Sequence, residues 1–222
     1  IQYNYLDENN QAGKSGLEYA AGRGLPVMIM EPLRGGTLAT GLPRDVLDVF
    51  DGLGKSRSPA EWGLRWVWNH PEVTLLLSGM NTMPVLEENI AAASSALPGA
   101  LTPAELEVIE KAREILSRRL KVPCTGCNYC MPCPYGVDIP TCFACYNNIG
   151  ISGFLSAIKS YFQTTIFQKN PSNASRCVKC GKCESHCPQS IEIRRELDNV
   201  KKKLEPFYFK PASWVARKVM RI

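Results

Sequence analysis

Residues 124–140 read CTGCNYCMPCPYGVDIP: Cys124, Cys127, Cys130 and Cys133 recur at every third position, and Pro134 follows the last. Four thiols so close together can close one metal site among themselves, or three can serve one site while the fourth is lent elsewhere. The first run alone leaves both arrangements open. A second run, ASRCVKCGKCESHCPQS at 174–190, carries Cys177, Cys180 and Cys183 at the same spacing. It then ends in Cys187-Pro188, with one residue more before the final cysteine.

The chain has 10 cysteines, and the two runs take eight of them. Thiols packed this tightly do not suit a network of long-range disulfides, and no secretory signal precedes them, so reduced, metal-binding thiols are expected. Zinc ribbons and fingers use two CxxC pairs split by a spacer. Runs of four, each closed by proline, point instead to iron–sulfur clusters.

The remaining composition is that of an ordinary globular protein: 222 residues, 45% hydrophobic and 21% charged. That length accommodates one large or two modest domains. No apolar run approaches the ~20 residues of a membrane helix. The sequence opens IQYNYLDENN, without an initiator Met or a signal-like stretch, so an earlier N-terminal part and a cytoplasmic location are expected. The net charge of +5 is unevenly spread, with acidic residues in excess over 1–100 and basic ones in excess beyond. A basic half suggests nucleic acid or an anionic surface. Eight thiolates at about −8 and two oxidised cluster cores at about +4 bring the total to roughly +1. The excess therefore offsets the chain's own cofactors, and no nucleic-acid partner is expected.

Along the first hundred residues strands and helices alternate. Strand-like runs at 1–7, 27–33 and 73–80 are separated by a helix at 13–24 and by one opening at Ser58-Pro59-Ala60-Glu61. Between them a loop with weak helical pattern runs to Arg57. A third helix covers 83–96, and another opens at Thr102-Pro103-Ala104-Glu105. Such alternation without hairpin signals predicts parallel strands with crossover helices. From Lys121 the character changes to Cys, Pro and Gly through 145. A helical stretch at 153–166 divides the two cysteine runs, and a short charged helix covers 191–204.

The cysteine runs resemble the C-x2-C-x2-C-x3-C-P pattern of bacterial ferredoxins, in which three cysteines hold one [4Fe–4S] cluster and the fourth belongs to another. The resemblance implies one cluster on Cys124, Cys127 and Cys130, completed by Cys187. It implies a second on Cys177, Cys180 and Cys183, completed by Cys133. Cys142 and Cys145, a CxxC pair, are read as small buried residues on a helix near the first cluster, with a redox pair as the alternative. His186 is read as a loop residue and His70 as a turn or surface histidine.

IQYNYLD, VMIMEPLRGGTL and LLLSGMNTMPVLEENI look like the sixth, seventh and eighth strand segments of an aldo–keto reductase (β/α)8 barrel. The cysteine-rich end is similar to the ferredoxin-type extension of that family's iron–sulfur branch. The implied fold is the last three β/α units of a TIM-type barrel over 1–120, a mainly α-helical ferredoxin-type domain over 121–205, and a basic aromatic tail over 206–222. The resemblance implies NAD(P)(H) as a further cofactor. Gln2 matches the residue that meets the nicotinamide amide, and Met30 stands where many relatives stack a tyrosine. Leu33, Arg34, Gly35 and Gly36 match the pyrophosphate loop. Ser78, Gly79, Met80, Asn81 and Thr82, with Glu88 and Asn89, match the adenosine end. Glycine turns and free amides at a helix N-terminus suit phosphate, and such loops lie at the C-terminal barrel face. Gly79 and Val85 replace the Lys and Arg that many relatives aim at a 2′-phosphate.

That family's catalytic residues belong to the earlier half of the barrel, and three strands cannot close one. No catalytic residue is therefore assigned, and the other barrel half is an expected partner. Two functions compete. One is an oxidoreductase coupling NAD(P)(H) and a small carbonyl or alcohol to a redox partner protein or electron carrier through two clusters. The other is a stand-alone ferredoxin-like module that docks to a partner reductase. The tail, with Phe207, Tyr208, Phe209 and Trp214 beside Lys210, Arg217, Lys218 and Arg221, is expected to pack on its own domain, with membrane-surface binding as the alternative.

Overall fold

The structure is a computed structural model that describes residues 1–206. The aromatic tail singled out above lies, from residue 207, outside the described residues. Two compact units divide the chain, Ile1–Arg118 and Arg119 onward.

In the first unit α1 (Gly13–Gly22) is followed by β1 (Met28–Ile29), α2 (Arg44–Asp51), α3 (Pro59–Trp68), β2 (Leu75–Leu76), α4 (Met83–Ser95) and α5 (Pro103–Arg119). β1 and β2 pair in parallel, Met28 opposite Leu75 and Ile29 opposite Leu76. Gln2 bridges Met30, also in parallel. Three extended segments thus lie side by side in chain order, with helices as the crossovers that parallel pairing requires. The ladders are far shorter than the runs at 1–7, 27–33 and 73–80. Pro26 and Pro32 bracket β1 and have no N–H to donate, and Glu31 turns left-handed at φ 55°.

Side chains along 27–30 alternate sharply: Val27 and Ile29 are 4% and 0% exposed, Met28 and Met30 55% and 56%. Leu75 and Leu77 are exposed on the third segment. One face of the small sheet is therefore covered by helices while the other presents apolar side chains to solvent. Under the covered face, Phe50 stacks on Trp62 at 5.5 Å and Tyr3 meets Trp66 at 5.0 Å. His70 joins this aromatic group, its Nδ1 2.9 Å from the Trp66 carbonyl and its Nε2 3.3 Å from the Tyr3 hydroxyl. It is a turn residue as expected, but half-buried. Gly63 admits the loop after β1, since a Cβ there would stand 2.7 Å from the Leu33 side chain.

The helix starts follow their caps. Ser58 accepts from the Glu61 N–H at 3.0 Å, with Pro59 in the first turn. Thr102 and Glu105 form the full reciprocal box. The Thr102 N–H and hydroxyl donate to Glu105 at 2.7 and 2.8 Å, and the Glu105 N–H donates to Thr102 at 3.3 Å. α2 replaces the loop expected before Arg57, because Val46 and Phe50, four apart, both bury on one face.

The second unit has no strand among the described residues. It comprises α6 (Ile139–Ser152), α7 (Phe154–Tyr161) continued by a π-helical turn (Phe162–Ile166), and α8 (Ile193–Leu204). Its own core gathers Val122, Phe143, Tyr161, Leu197, Val200 and Leu204. Among the described residues no helix is long and apolar enough to cross a membrane.

Candidate metal centre

The two cysteine runs share a backbone design. Gly126 and Lys179, each two residues after the first cysteine of its run, are left-handed at φ 73° and 61°. Asn128 and Gly181, each following the second cysteine, are left-handed at φ 65° and 80°. Alternation of this kind turns successive N–H groups inward and makes an anion-binding concavity. After each Cys-Pro the sequences CPYGVDI (133–139) and CPQSIEI (187–193) repeat the design. Gly136 and Ser190 are left-handed, Val137 and Ile191 are buried, and Asp138 and Glu192 stand before the first residues of α6 and α8.

One hollow is lined by Cys124, Cys127 and Cys130 together with Cys187. Its wall is apolar, with Ile139, Phe143, Ile191 and Ile193 all buried. Gln189 closes across it by donating to the Thr125 hydroxyl at 3.1 Å. Its free volume is about 20 Å³, so the four thiols would spread to admit an inorganic core. The other hollow, about 290 Å³, is lined by Cys177, Cys180 and Cys183 together with Cys133. Tyr129, Tyr135, Val178, Lys182 and His186 form its exposed rim, and Cys180 is itself exposed. Cys130 and Ile139 line both hollows, which are therefore neighbours.

In each hollow the last cysteine of one run thus stands beside the first three of the other. Among the described residues no group of three His, Cys, Asp or Glu side chains closes to hold a single ion. Burial, then the neighbouring Cys124, pushes the Cys130 thiol up to about 12. Burial, then Glu184, pushes Cys183 up to about 11. A metal entering such hollows displaces protons from the thiols it binds. Arg194 of α8, on the wall of the second hollow, pairs with Glu184 at 2.7 Å and holds that carboxyl below its usual range.

Cys142 and Cys145 belong to neither hollow. They are buried on α6, with Cys142 Sγ 3.8 Å from the Ser172 carbonyl and Cys145 Sγ 3.7 Å from the hydroxyls of Ser160 and Thr164.

The first unit has a larger cavity of about 680 Å³. Leu33, Gly35, Gly36, Ser78, Gly79, Asn81, Glu88 and Asn89 line it, eight of the positions singled out as cofactor-binding. Gly35 and Gly36 are left-handed at φ 61° and 87°, and Asn89 donates to the Ser78 hydroxyl at 3.1 Å. The other positions lie elsewhere. Arg34 pairs with Asp7 at 3.0 Å, Met80 lines a small apolar hollow with Leu64 and Trp68, and Thr82 precedes α4. Met30 is on the open sheet face. Gln2 accepts from Gln11 at 2.7 Å while its own amide nitrogen is buried without a partner. Glu31 and Ser58, not foreseen, also line the cavity. Ser58 donates to Glu88 across it, a contact between distant segments that no local spacing signals.

No curated protein and no solved structure gives a significant match to this chain. A family model does match, over residues 123–192, and it is that of the 4Fe-4S dicluster domain. The two repeated cysteine turns thus belong to an iron–sulfur electron-transfer domain of ferredoxin type.

Proposed function

We propose that this domain carries two [4Fe–4S] clusters, one on Cys124, Cys127, Cys130 and Cys187 and the other on Cys177, Cys180, Cys183 and Cys133. The observation that carries the reading is the exchange of the final cysteine between the two hollows. When bound, such clusters supply one-electron storage. The protein supplies the thiolates, the inward N–H groups of the left-handed turns, and apolar walls that keep water from the first hollow.

The first unit is read as the last part of an aldo–keto reductase barrel that grips NAD(P)(H). Three parallel segments in chain order, the apolar open face of Met28, Met30, Leu75 and Leu77, and the glycine-turned cavity support this reading. The remaining strands of the barrel would cover that face. The charged side chains lining the cavity are Glu31 and Glu88, which suit sugar hydroxyls better than an added phosphate. In the whole protein a hydride's two electrons would pass singly through the two centres, between a small carbonyl or alcohol and an external redox carrier.

Anaerobic reconstitution tests the first claim: about eight irons and eight sulfides per chain are expected, against zinc or about four irons if it is wrong. NADH or NADPH added to the intact protein should then bleach the visible cluster absorbance. A second reading, a stand-alone electron-transfer module, is favoured by the separate core of the second unit. Absence of bleaching by either nucleotide supports that reading over the coupled oxidoreductase.

A further inference from the structure

Each cysteine run has a fixed entrance, and the side chain that fixes it lies in, or directly caps, the helix following that run's own Cys-Pro. Before the first run, Asn147 of α6 accepts from the Lys121 and Val122 N–H groups, both at 2.9 Å, and donates to the Val122 carbonyl at 2.8 Å. One side-chain amide thereby engages three peptide groups, ending two residues before Cys124. Both Asn147 and Val122 are buried.

Before the second run, Glu205 at the end of α8 plays the corresponding part. Its carboxylate accepts from the Ser175 N–H at 3.2 Å, from Asn173 Nδ2 at 3.1 Å, from Tyr161 Oη at 2.5 Å and from the Ser175 hydroxyl. Tyr161 Oη accepts in turn from the Ala174 N–H at 2.8 Å. The Ala174 carbonyl receives the N–H of Cys177 at 3.0 Å, so the network reaches the backbone of the first cysteine of the run. This carboxylate is buried among neutral donors. Burial without a cation is tolerated when every lone pair finds a donor.

We propose that Asn147 and Glu205 are paired positioning residues. Each sets the stance of the leading thiol of one centre, Cys124 for Asn147 and Cys177 for Glu205, and each governs retention of iron at that centre alone. The proposal rests on the cluster ligands assigned above. Groups that orient metal ligands without touching the metal typically change metal retention by about 10–100-fold.

The test uses the full chain, reconstituted anaerobically, with iron release to EDTA followed over time. In Asn147→Ala, half of the iron should leave about tenfold faster while the other half keeps its rate. Glu205→Ala should do the same to the opposite half. A Cys124→Ser background identifies the halves: there Asn147→Ala should add nothing, whereas Glu205→Ala should still accelerate the release of what remains. Asn147→Asp, which keeps the acceptor for both N–H groups, should recover most of the retention and carries the test if the alanine variant does not fold. Equal acceleration of all the iron by either alanine variant, or no acceleration by both, overturns the proposal. A parent chain that loads zinc or about four irons overturns the ligand assignment instead, before any clamp variant is measured.

Discussion

The two hollows of the second unit are built from one repeated sequence design yet face different surroundings. Ile139, Phe143, Ile191 and Ile193 bury the first, whereas the second opens between Tyr129, Tyr135 and Val178, which are 64%, 45% and 55% exposed. The left-handed positions match pair by pair, although the second run has one residue more before its final cysteine and turns there through Glu184–His186. The larger difference is the company each turn keeps after folding. Solvent exposure and hydrogen bonding tune the potential of an iron–sulfur centre. A duplicated motif can thus yield two unequal electron sites without any change in ligands.

Cysteine replacements give the largest expected effect and the most direct way to break the comparison. Cys124→Ser and Cys187→Ser should each remove about four of eight irons, and the double variant should remove no more. Loss of all the iron in that double variant, measured by iron and sulfide assay, would place Cys187 with the second run.

Phe143→Ala sharpens it next. The ring is buried in the wall of the first hollow. Its removal should cost about 3–5 kcal/mol in thermal or denaturant unfolding. In the parent chain the second centre should lose iron to a chelator first, and in this variant that order should weaken or vanish.

A smaller effect, in the first unit, serves as a control. Burial raises the Glu105 carboxyl, but donation from Lys55, Thr102 and Arg57 outweighs it and holds the pKa at about 2. A depressed carboxyl stabilises the fold above its ordinary pKa, and that stabilisation drains away as pH falls from about 4.5 towards 2. About 2–3 kcal/mol should be lost across that window in the iron-free chain, followed by tryptophan fluorescence. Glu105→Gln should be less stable at neutral pH and flatter across it. The smallest effect belongs to the rim. Tyr129→Ser should change stability by less than about 0.5 kcal/mol, while altering the rate at which ferricyanide oxidises the second centre.

Much of this was legible in the residues. Ser58-Pro59 and Thr102-Pro103 marked helix starts because the capping chemistry is local. The cysteine spacing marked the iron–sulfur domain because three thiols two residues apart must share one turn. Nothing local marks the start of α6 as an element boundary. Its first residues are Ile139 and Pro140 among cysteines, and its Asp138 cap, accepting from Thr141 at 3.2 Å, looks like one more loop acid. Apolar alternation overstates the strand lengths because it reports which face is buried rather than how many ladder bonds form. The apolar wall of the first hollow and the two entrance clamps were also hidden, since each joins residues more than twenty positions apart.

The traded cysteines carry one more consequence. If Cys187 completes the first centre and Cys133 the second, the inorganic cores are two rivets that each fasten the stretch before Pro134 to the stretch after Arg176. A protease that nicks the exposed Ser152–Gly153 turn should leave both fragments travelling as a single species on a sizing column. Parting them should need both a chelator that draws out the iron and a denaturant that opens the core shared by Phe143, Tyr161 and Leu197.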